Sequence, residues 1–319
     1  MLKPHKIQLA NIPSPIHEIQ YGGYLFLIKR DDLTGLELSG NKVRKLEYLL
    51  YQAKREKAEI IFTTGGDQSN HARATVIASA KCGMKTKLFL WGKDSFKVDG
   101  NLFIDKFLGA DISFLNKNDF LNVNQIMFKE KEKLQKDGKK VYVIPEGGST
   151  TLGIWGYISF MEELAKQIDI KNMQGIVSAA GSGGTAAGMM VGAALMNLNL
   201  KVFCVNVLYD QKKIRKRILD LAEGCILDYK LPCKIREENL EIIDGYSIEG
   251  YKNISDIKIK MIKDFARESG IILDPAYTAK AFVAYIEEFL KKGKGKKVLF
   301  LHTGGIFGAF AKKMQYLNA

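Results

Sequence analysis

Lys42 follows the run Ser39-Gly40-Asn41 and precedes Val43-Arg44-Lys45-Leu46-Glu47-Tyr48. Three turn-forming residues breaking into a helical pattern put this lysine on the first helical turn. Backbone N–H groups there carry positive potential, which favours loss of the ammonium proton. A neutral lysine amine is a nucleophile and can hold a carbonyl compound as a Schiff base. A solvated lysine at a helix start explains this stretch equally well, because the chain contains 48 Lys and Arg residues. The rest of the chain has to decide between the two.

Ala179-Ala180-Gly181-Ser182-Gly183-Gly184-Thr185-Ala186-Ala187-Gly188 follows an apolar strand and opens a helix. Its glycines let several N–H groups turn toward one point, and Ser182 and Thr185 add hydroxyl donors, so a phosphate fits. No Lys-Ser/Thr pair follows, which excludes a nucleotide P-loop. The looser pattern Gly-x-Gly-x-x-Ala is present, with Asp210 as a candidate ribose acid, so a dinucleotide-linked oxidoreductase is the rival reading.

The second stretch is Thr63-Thr64-Gly65-Gly66-Asp67-Gln68-Ser69-Asn70-His71. Ser69 or Asn70 caps the helix that follows, and the free N–H groups beside small polar side chains suit a substrate carboxylate. His71 by itself is as well explained by structural hydrogen bonding. In Asp274-Pro275-Ala276-Tyr277-Thr278 the turn sets a phenol just ahead of a helix. In Leu301-His302-Thr303-Gly304-Gly305, Thr303 is placed to hydrogen-bond a ligand ring. A core-edge tyrosine and a plain tight turn account for these two pieces when each is taken singly.

The elements that position these pieces follow a repeated pattern of strand, Gly-rich turn and helix. Strands are predicted at Tyr24–Arg30, Glu59–Thr63, Lys87–Trp91, Asp111–Leu115, Val141–Ile144, Gly175–Ala180, Lys201–Val207 and Lys297–His302. Helices are predicted at Lys42–Lys57, Asn70–Cys82, Asn101–Leu108, Asn122–Lys136, Leu152–Gln167, from the Gly181 turn to Met196, Ile257–Ser269 and Thr278–Lys291, with a basic helix after Val207. Short apolar strands separated by helices call for mostly parallel sheets covered on both faces. In such sheets ligands sit beyond the carboxyl ends of the strands, where the Gly-rich turns lie.

At 319 residues two subdomains are expected, and 46% hydrophobic with 26% charged residues is the composition of a soluble globular protein. No apolar run is long enough to span a membrane and the N-terminus lacks a signal-peptide core, so the cytoplasm is the expected location. Four scattered cysteines without a Cys-x-x-Cys pair, and only four histidines, argue against a disulfide framework and a metal centre. The net charge of +13 is spread over helix faces beside acids, without aromatic interleaving. It is read as a solvated surface that attracts anionic substrates, and no nucleic-acid partner is expected.

Taken in order, Gly40–Glu47, Gln68–His71, Gly181–Thr185, Asp274–Tyr277 and His302–Gly305 resemble the D-cysteine desulfhydrase and 1-aminocyclopropane-1-carboxylate (ACC) deaminase family of pyridoxal-phosphate (PLP) enzymes. Lys29–Leu33, Gly100–Leu102 and Ile144–Ser149 support it, and the resemblance runs from about Pro13 to Phe307. It implies an α/β fold of two three-layer αβα domains like tryptophan synthase β (PLP fold type II). The large domain would comprise residues 1–47 and 161–319, with a small domain at 48–160 inserted in it. Homodimers are usual in the family. Lys42 would be the Schiff-base lysine. Gly181, Ser182, Gly183, Gly184 and Thr185 would hold the cofactor phosphate, Asn70 the ring hydroxyl and Thr303 the pyridine nitrogen. Ser69, Asn70 and His71 would seat the substrate carboxylate. Tyr277 would stand near the reacting carbon with Thr278 beside it, and Ser69 would help move protons.

The implied reaction is β-elimination on a small β-substituted amino acid, first of all D-cysteine, giving pyruvate, ammonia and hydrogen sulfide. ACC deamination, cysteate sulfo-lyase activity, racemisation and a PLP-fold binding protein without turnover are alternatives. Thr278 stands where the resemblance places glutamate in ACC deaminases, which favours the desulfhydrase side. Asp67 departs from the family's usual apolar residue and would alter substrate preference if it faced the pocket.

Overall fold

Runs of Val, Ile, Leu and Phe buried on both faces cannot pair with a solvated neighbour, so they stack as central strands of parallel sheets. The computed structural model describes residues 3–94 and 98–318 and contains two such sheets. The strands are β1 (Ile16–Tyr21), β2 (Tyr24–Arg30), β3 (Ile60–Gly66), β4 (Lys85–Trp91), β5 (Asp111–Leu115), β6 (Val141–Val143), β7 (Gly175–Ala180), β8 (Lys201–Asn206), β9 (Leu240–Ile243) and β10 (Val298–His302). One sheet has six strands in the order β1-β2-β10-β7-β8-β9, the other four in the order β5-β4-β3-β6. All neighbours are parallel except β1 and β2, a hairpin closed at Gly22-Gly23 with Tyr21 opposite Tyr24. The chain is therefore α/β with mostly parallel sheets.

The helices are α1 (Asn41–Arg55), α2 (Asn70–Lys81), α3 (Gly100–Phe107), α4 (Lys117–Leu121), α5 (Val123–Lys136), α6 (Trp155–Gln167), α7 (Gly184–Leu195), α8 (Gln211–Asp228), α9 (Asp256–Ser269) and α10 (Thr278–Tyr285). The sequence pattern does not show β1 or β9. β1 is a half-exposed edge strand and β9 has four residues, so neither carries a long apolar run. The helix predicted over Thr278–Lys291 is α-helical only to Tyr285, and Ile286–Leu290 continues it as a π-turn.

Two cores flank the six-stranded sheet. On one side α6 and α7 pack with Trp155, Tyr157, Phe160, Met189 and Val191 buried. Their approach is close: a Cβ on Gly188 would lie 2.4 Å from the Ile154 carbonyl oxygen. On the other side α9 and α10 enclose an aromatic cluster of Phe26, Phe265, Phe282, Tyr285 and Phe300. Among the described residues no helix is long and apolar enough to cross a membrane.

The start of α1 is held from below by a buried ionic network. The Arg44 guanidinium forks onto Asp31 at 2.9 and 2.8 Å and onto Glu163 at 2.8 and 2.9 Å. Lys29 reaches the same Glu163 at 2.6 Å, and the Tyr157 hydroxyl donates to Asp31 at 2.5 Å. β2, α1 and α6 are thus tied together two residues after Lys42.

Candidate active site

Apart from Asp274–Thr278, which follows α9, each chemically marked stretch leaves the carboxyl end of a parallel strand, where ligand sites form. The Gly40 turn and α1 follow β2, the Ser69 cap follows β3, Glu146-Gly147 follows β6, the Gly181 turn follows β7 and Thr303 follows β10. The turns of β2 and β10 interlock. Asn41 N–H donates to the Thr303 carbonyl at 3.0 Å, and Gly40 has φ +92° with the site of its missing Cβ 2.7 Å from that same oxygen. An L side chain fits neither the conformation nor the space. Gly40→Ala is expected to lower stability by about 1–3 kcal/mol and to weaken cofactor retention, read by urea unfolding and by the visible band left after desalting.

Lys42, Asn70, Gly181, Ser182, Gly183, Thr185, Tyr277 and Thr303 line one cleft of about 440 Å³ with Asn41, and no carboxylate is among its lining residues. Lys42, Ser69, His71 and Tyr277 also line an adjoining chamber of about 520 Å³. Two of the expected residues do not line either space. Gly184 is off the cleft wall because its N–H donates backward to Ser149 Oγ at 3.2 Å. Thr278 is buried behind Tyr277, and its hydroxyl donates to Asp274 Oδ1 at 2.7 Å, so it is turned away from any substrate. Asp67 lies on neither wall. Its carboxylate pairs with Lys252 across to the other sheet's loop, so the condition for an effect on substrate preference is not met.

Lys42 makes no hydrogen bond or ion pair to any described residue. Burial drives its amine down to about 8, against the pull of Glu146 and Asp274. A helix-start lysine thus becomes a nucleophile at mildly alkaline pH through desolvation more than through the helix end. Lys45, one turn on, is buried with no carboxylate of the described residues within ion-pair distance. Its Nζ donates to Gly147 O at 3.2 Å and Ser149 Oγ at 3.3 Å, and Ser149 Oγ bonds Ser182 Oγ at 2.8 Å. Burial first, then the charge on Lys42, holds Lys45 well below its ordinary value. Two adjacent amines without an acid are costly to bury unless an anion completes the site. They stand beside the N-terminus of α7, and this is what a phosphate-bearing aldehyde requires.

Ser69 Oγ accepts from Ala72 N–H at 3.1 Å, which caps α2 and leaves its own proton free to donate. Asn70 Oδ1 accepts from Asn101 at 2.9 Å, so the Asn70 amide nitrogen is left for a ligand. The Thr63 hydroxyl donates to Ile144 O at 2.8 Å and therefore accepts from His71 Nε2 at 2.9 Å. Burial, then Lys42 and Lys45, keep His71 neutral. The Tyr277 hydroxyl donates to Tyr251 at 2.9 Å, and burial raises both phenols, so they stay protonated donors. Asp274 is raised by burial to about 6, although it accepts from the N–H groups of Ala276, Tyr277 and Thr278. Sequence reading misses Lys45, Ser149, Glu146 and Tyr251. Lys45 has the helical spacing to share a face with Lys42, but Glu146 and Ser149 come from the loop after β6 and Tyr251 from the loop after β9.

A desolvated lysine and an anion-binding turn that line one cleft define an enzyme that works through a carbonyl cofactor held on lysine. The chain matches the family described as "Pyridoxal-phosphate dependent enzyme" over residues 7–304. It is 41% identical to a Thermotoga maritima protein provisionally named 1-aminocyclopropane-1-carboxylate deaminase, over 96% of this chain and 98% of that one. It is 36% identical to the Arabidopsis thaliana bifunctional D-cysteine desulfhydrase/1-aminocyclopropane-1-carboxylate deaminase, over 98% of this chain and 80% of that one. A crystal structure of an ACC deaminase homologue superposes with a TM-score of 0.90 at 34% identity, covering 98% and 96% of the two chains. The chain belongs to the pyridoxal-phosphate-dependent enzymes, within the group that contains D-cysteine desulfhydrases and ACC deaminases, and PLP is its cofactor. The dinucleotide reading is overturned by this membership. Asp210, its candidate ribose acid, caps α8 by accepting from Lys212 and Lys213 N–H at 3.0 and 3.2 Å.

Proposed function

We propose that the chain is a β-eliminating lyase for small β-substituted amino acids, with D-cysteine as the substrate to expect first. The carrying observation is the absence of any carboxylate from the residues lining the cleft that holds Lys42, together with the buried, inward-tied Thr278. A hydroxyl such as Thr303 does not keep a pyridine nitrogen protonated as a carboxylate would, and this favours prompt expulsion of a β-substituent. When bound, the cofactor supplies an electron sink for the carbanion left by loss of the α-proton.

The chain's own residues do the rest. Lys42 is the attachment point, with Gly181, Ser182, Gly183, Thr185 and Asn41 around the phosphate and Lys45 behind the turn, Asn70 at the ring hydroxyl and Thr303 at the ring nitrogen. The Ser69 hydroxyl and the first N–H groups of α2, at Asn70 and His71, hold the substrate carboxylate. The Lys42 amine takes the α-proton. The Tyr277 hydroxyl, kept protonated by burial and donating to Tyr251, stands near the reacting carbon. With D-cysteine and one water the products are pyruvate, ammonia and hydrogen sulfide.

The names of the relatives favour ACC deamination as a second reading. Thr278 weighs against it, because the family resemblance places a glutamate there in ACC deaminases. Release of pyruvate with sulfide from D-cysteine, set against 2-oxo-acid release from ACC and pyruvate release from L-cysteine and D-serine, decides. Turnover of ACC at a kcat/KM equal to or above that for D-cysteine would sink the first choice. The inserted small domain at 48–160 is part of this reading, as all four strands of the second sheet fall within it. A cytoplasmic homodimer is the expected form, and light scattering in solution checks the oligomer.

A further inference from the structure

Glu146 has no role in the reaction as derived above, yet it is the one carboxylate lining the chamber beyond Lys42. One of its oxygens is anchored from behind: the Tyr209 hydroxyl donates to Oε2 at 2.6 Å, and Arg217 in turn donates to Tyr209 at 3.1 Å. No Lys, Arg or His comes within ion-pair distance of it among the described residues. Trp91, Phe120 and Leu208 complete the wall with apolar surface. The substrate's own carboxylate has its donors at Ser69 and the start of α2. Ser69 and His71 line this same chamber, so a small substrate whose carboxylate they hold has the rest of its length in the space that Glu146 also lines.

We propose that Glu146 sorts substrates by the charge of the β-substituent, admitting neutral and cationic groups, rejecting anionic ones, and accepting a β-ammonium best. This rests on the lyase reading, and it extends the substrate class to 2,3-diaminopropionate. With that substrate the α-proton passes to Lys42 Nζ. The Cβ–N bond breaks with its electron pair on nitrogen, so the ammonium leaves as neutral ammonia without an acid. One water then hydrolyses the remaining C–N bond, and the net products are pyruvate and two ammonia. A β-sulfonate such as cysteate would have to bring a second negative charge against Glu146 in a chamber with apolar walls, where repulsion is poorly screened.

The test uses the holoenzyme and both enantiomers of alanine, aspartate and 2,3-diaminopropionate. Dissociation constants are read from tryptophan fluorescence and from the shift of the cofactor's visible band, and pyruvate release is followed for cysteine, cysteate and 2,3-diaminopropionate. Wild type is expected to bind aspartate about tenfold or more weaker than alanine, and 2,3-diaminopropionate tighter than either. Glu146→Gln keeps an acceptor for Tyr209, and it is expected to bring the aspartate-to-alanine ratio to about threefold or less while weakening 2,3-diaminopropionate. Equal wild-type affinity for aspartate and alanine overturns the proposal, and this holds even if the variant fails to fold. A Glu146→Gln protein that loses affinity for all three ligands by one common factor also overturns it, because that is a purely structural effect. No pyruvate from any amino acid, with the binding ratios intact, is instead the failure of the lyase reading.

Discussion

Lys42→Met is expected to fold, to bind cofactor without a covalent bond, and to lose kcat by on the order of a thousandfold or more. Methionine keeps the length and the apolar stem of lysine but cannot attach a carbonyl or accept the α-proton. The visible band should then disappear on desalting while far-UV circular dichroism is unchanged. A band that survives desalting would place the attachment elsewhere. The same variant is expected to be more stable than the wild-type apoprotein, by about 1–3 kcal/mol at pH 7 in urea unfolding. The sign follows from desolvation. The folded-state amine titrates at about 8, below its ordinary 10.5, so folding favours the neutral form. The wild-type penalty is full below pH 8, shrinks as pH rises through the interval to 10.5, and is absent above it. Attachment of cofactor to the wild-type apoprotein should likewise speed up as pH rises toward 8 and then level off.

Asp31→Ala is expected to lower stability by about 3–5 kcal/mol, the largest single loss outside the apolar cores. Its carboxylate is fully buried and accepts from Arg44, Tyr157 and Ser14. Without it the Arg44 guanidinium, itself 2% exposed, retains Glu163 as its one carboxylate partner, with the Ser14 hydroxyl at 3.1 Å. The Tyr157 and Ser14 hydroxyls lose their acceptor at the same time. Asp31→Asn keeps the shape and one acceptor, and should recover part of the loss. Burial alone would raise the Asp31 carboxyl, but Arg44, Tyr157 and Ser14 overcome it and hold the group below its ordinary 3.8. Glu163 is lowered in the same way, burial being outweighed by Arg44 and Lys29. The wild type should therefore keep this stabilisation above about pH 5 and lose it as acid protonates both groups, whereas Asp31→Ala should show a shallower acid limb. Equal midpoints for Asp31→Ala and wild type would mean that the network contributes only geometry.

The run from Asn41 to Glu47 shows how far local sequence reaches. Its turn residues and helical period place Lys42 at the helix start, and they are legible because a turn and a cap are settled by neighbours. The duties of its other charges are not legible. Arg44 enters the ionic network, Lys45 lies behind the phosphate turn, and Glu47 accepts the N–H groups of Leu9 and Ala10 at 2.9 Å. Successive residues of a helix point about 100° apart, so each charge meets a different part of the chain. Which part it meets depends on packing.

Thr278 and Asp67 make the same point in reverse. The resemblance puts Thr278 beside the substrate and leaves Asp67 conditional on facing the pocket, but tertiary hydrogen bonds turn one onto Asp274 and the other onto Lys252. Glu146 carries no signal beyond Pro145-Glu146-Gly147, and only the meeting of the β6 loop with Tyr209 and Lys42 marks it. Legible in the chain alone are the alternation of buried strand and helix, the anion-binding turn at Gly181–Thr185, the cap at Ser69 and the lysine at a helix start. Each is a matter of period or of backbone conformation within a few residues. The tertiary structure decided which turns share one cleft, that two amines are buried there without an acid, and that Glu146 faces the chamber. Burial and pairing are properties of residues far apart in the chain, and desolvation exists only once the two sheets have closed around Lys42.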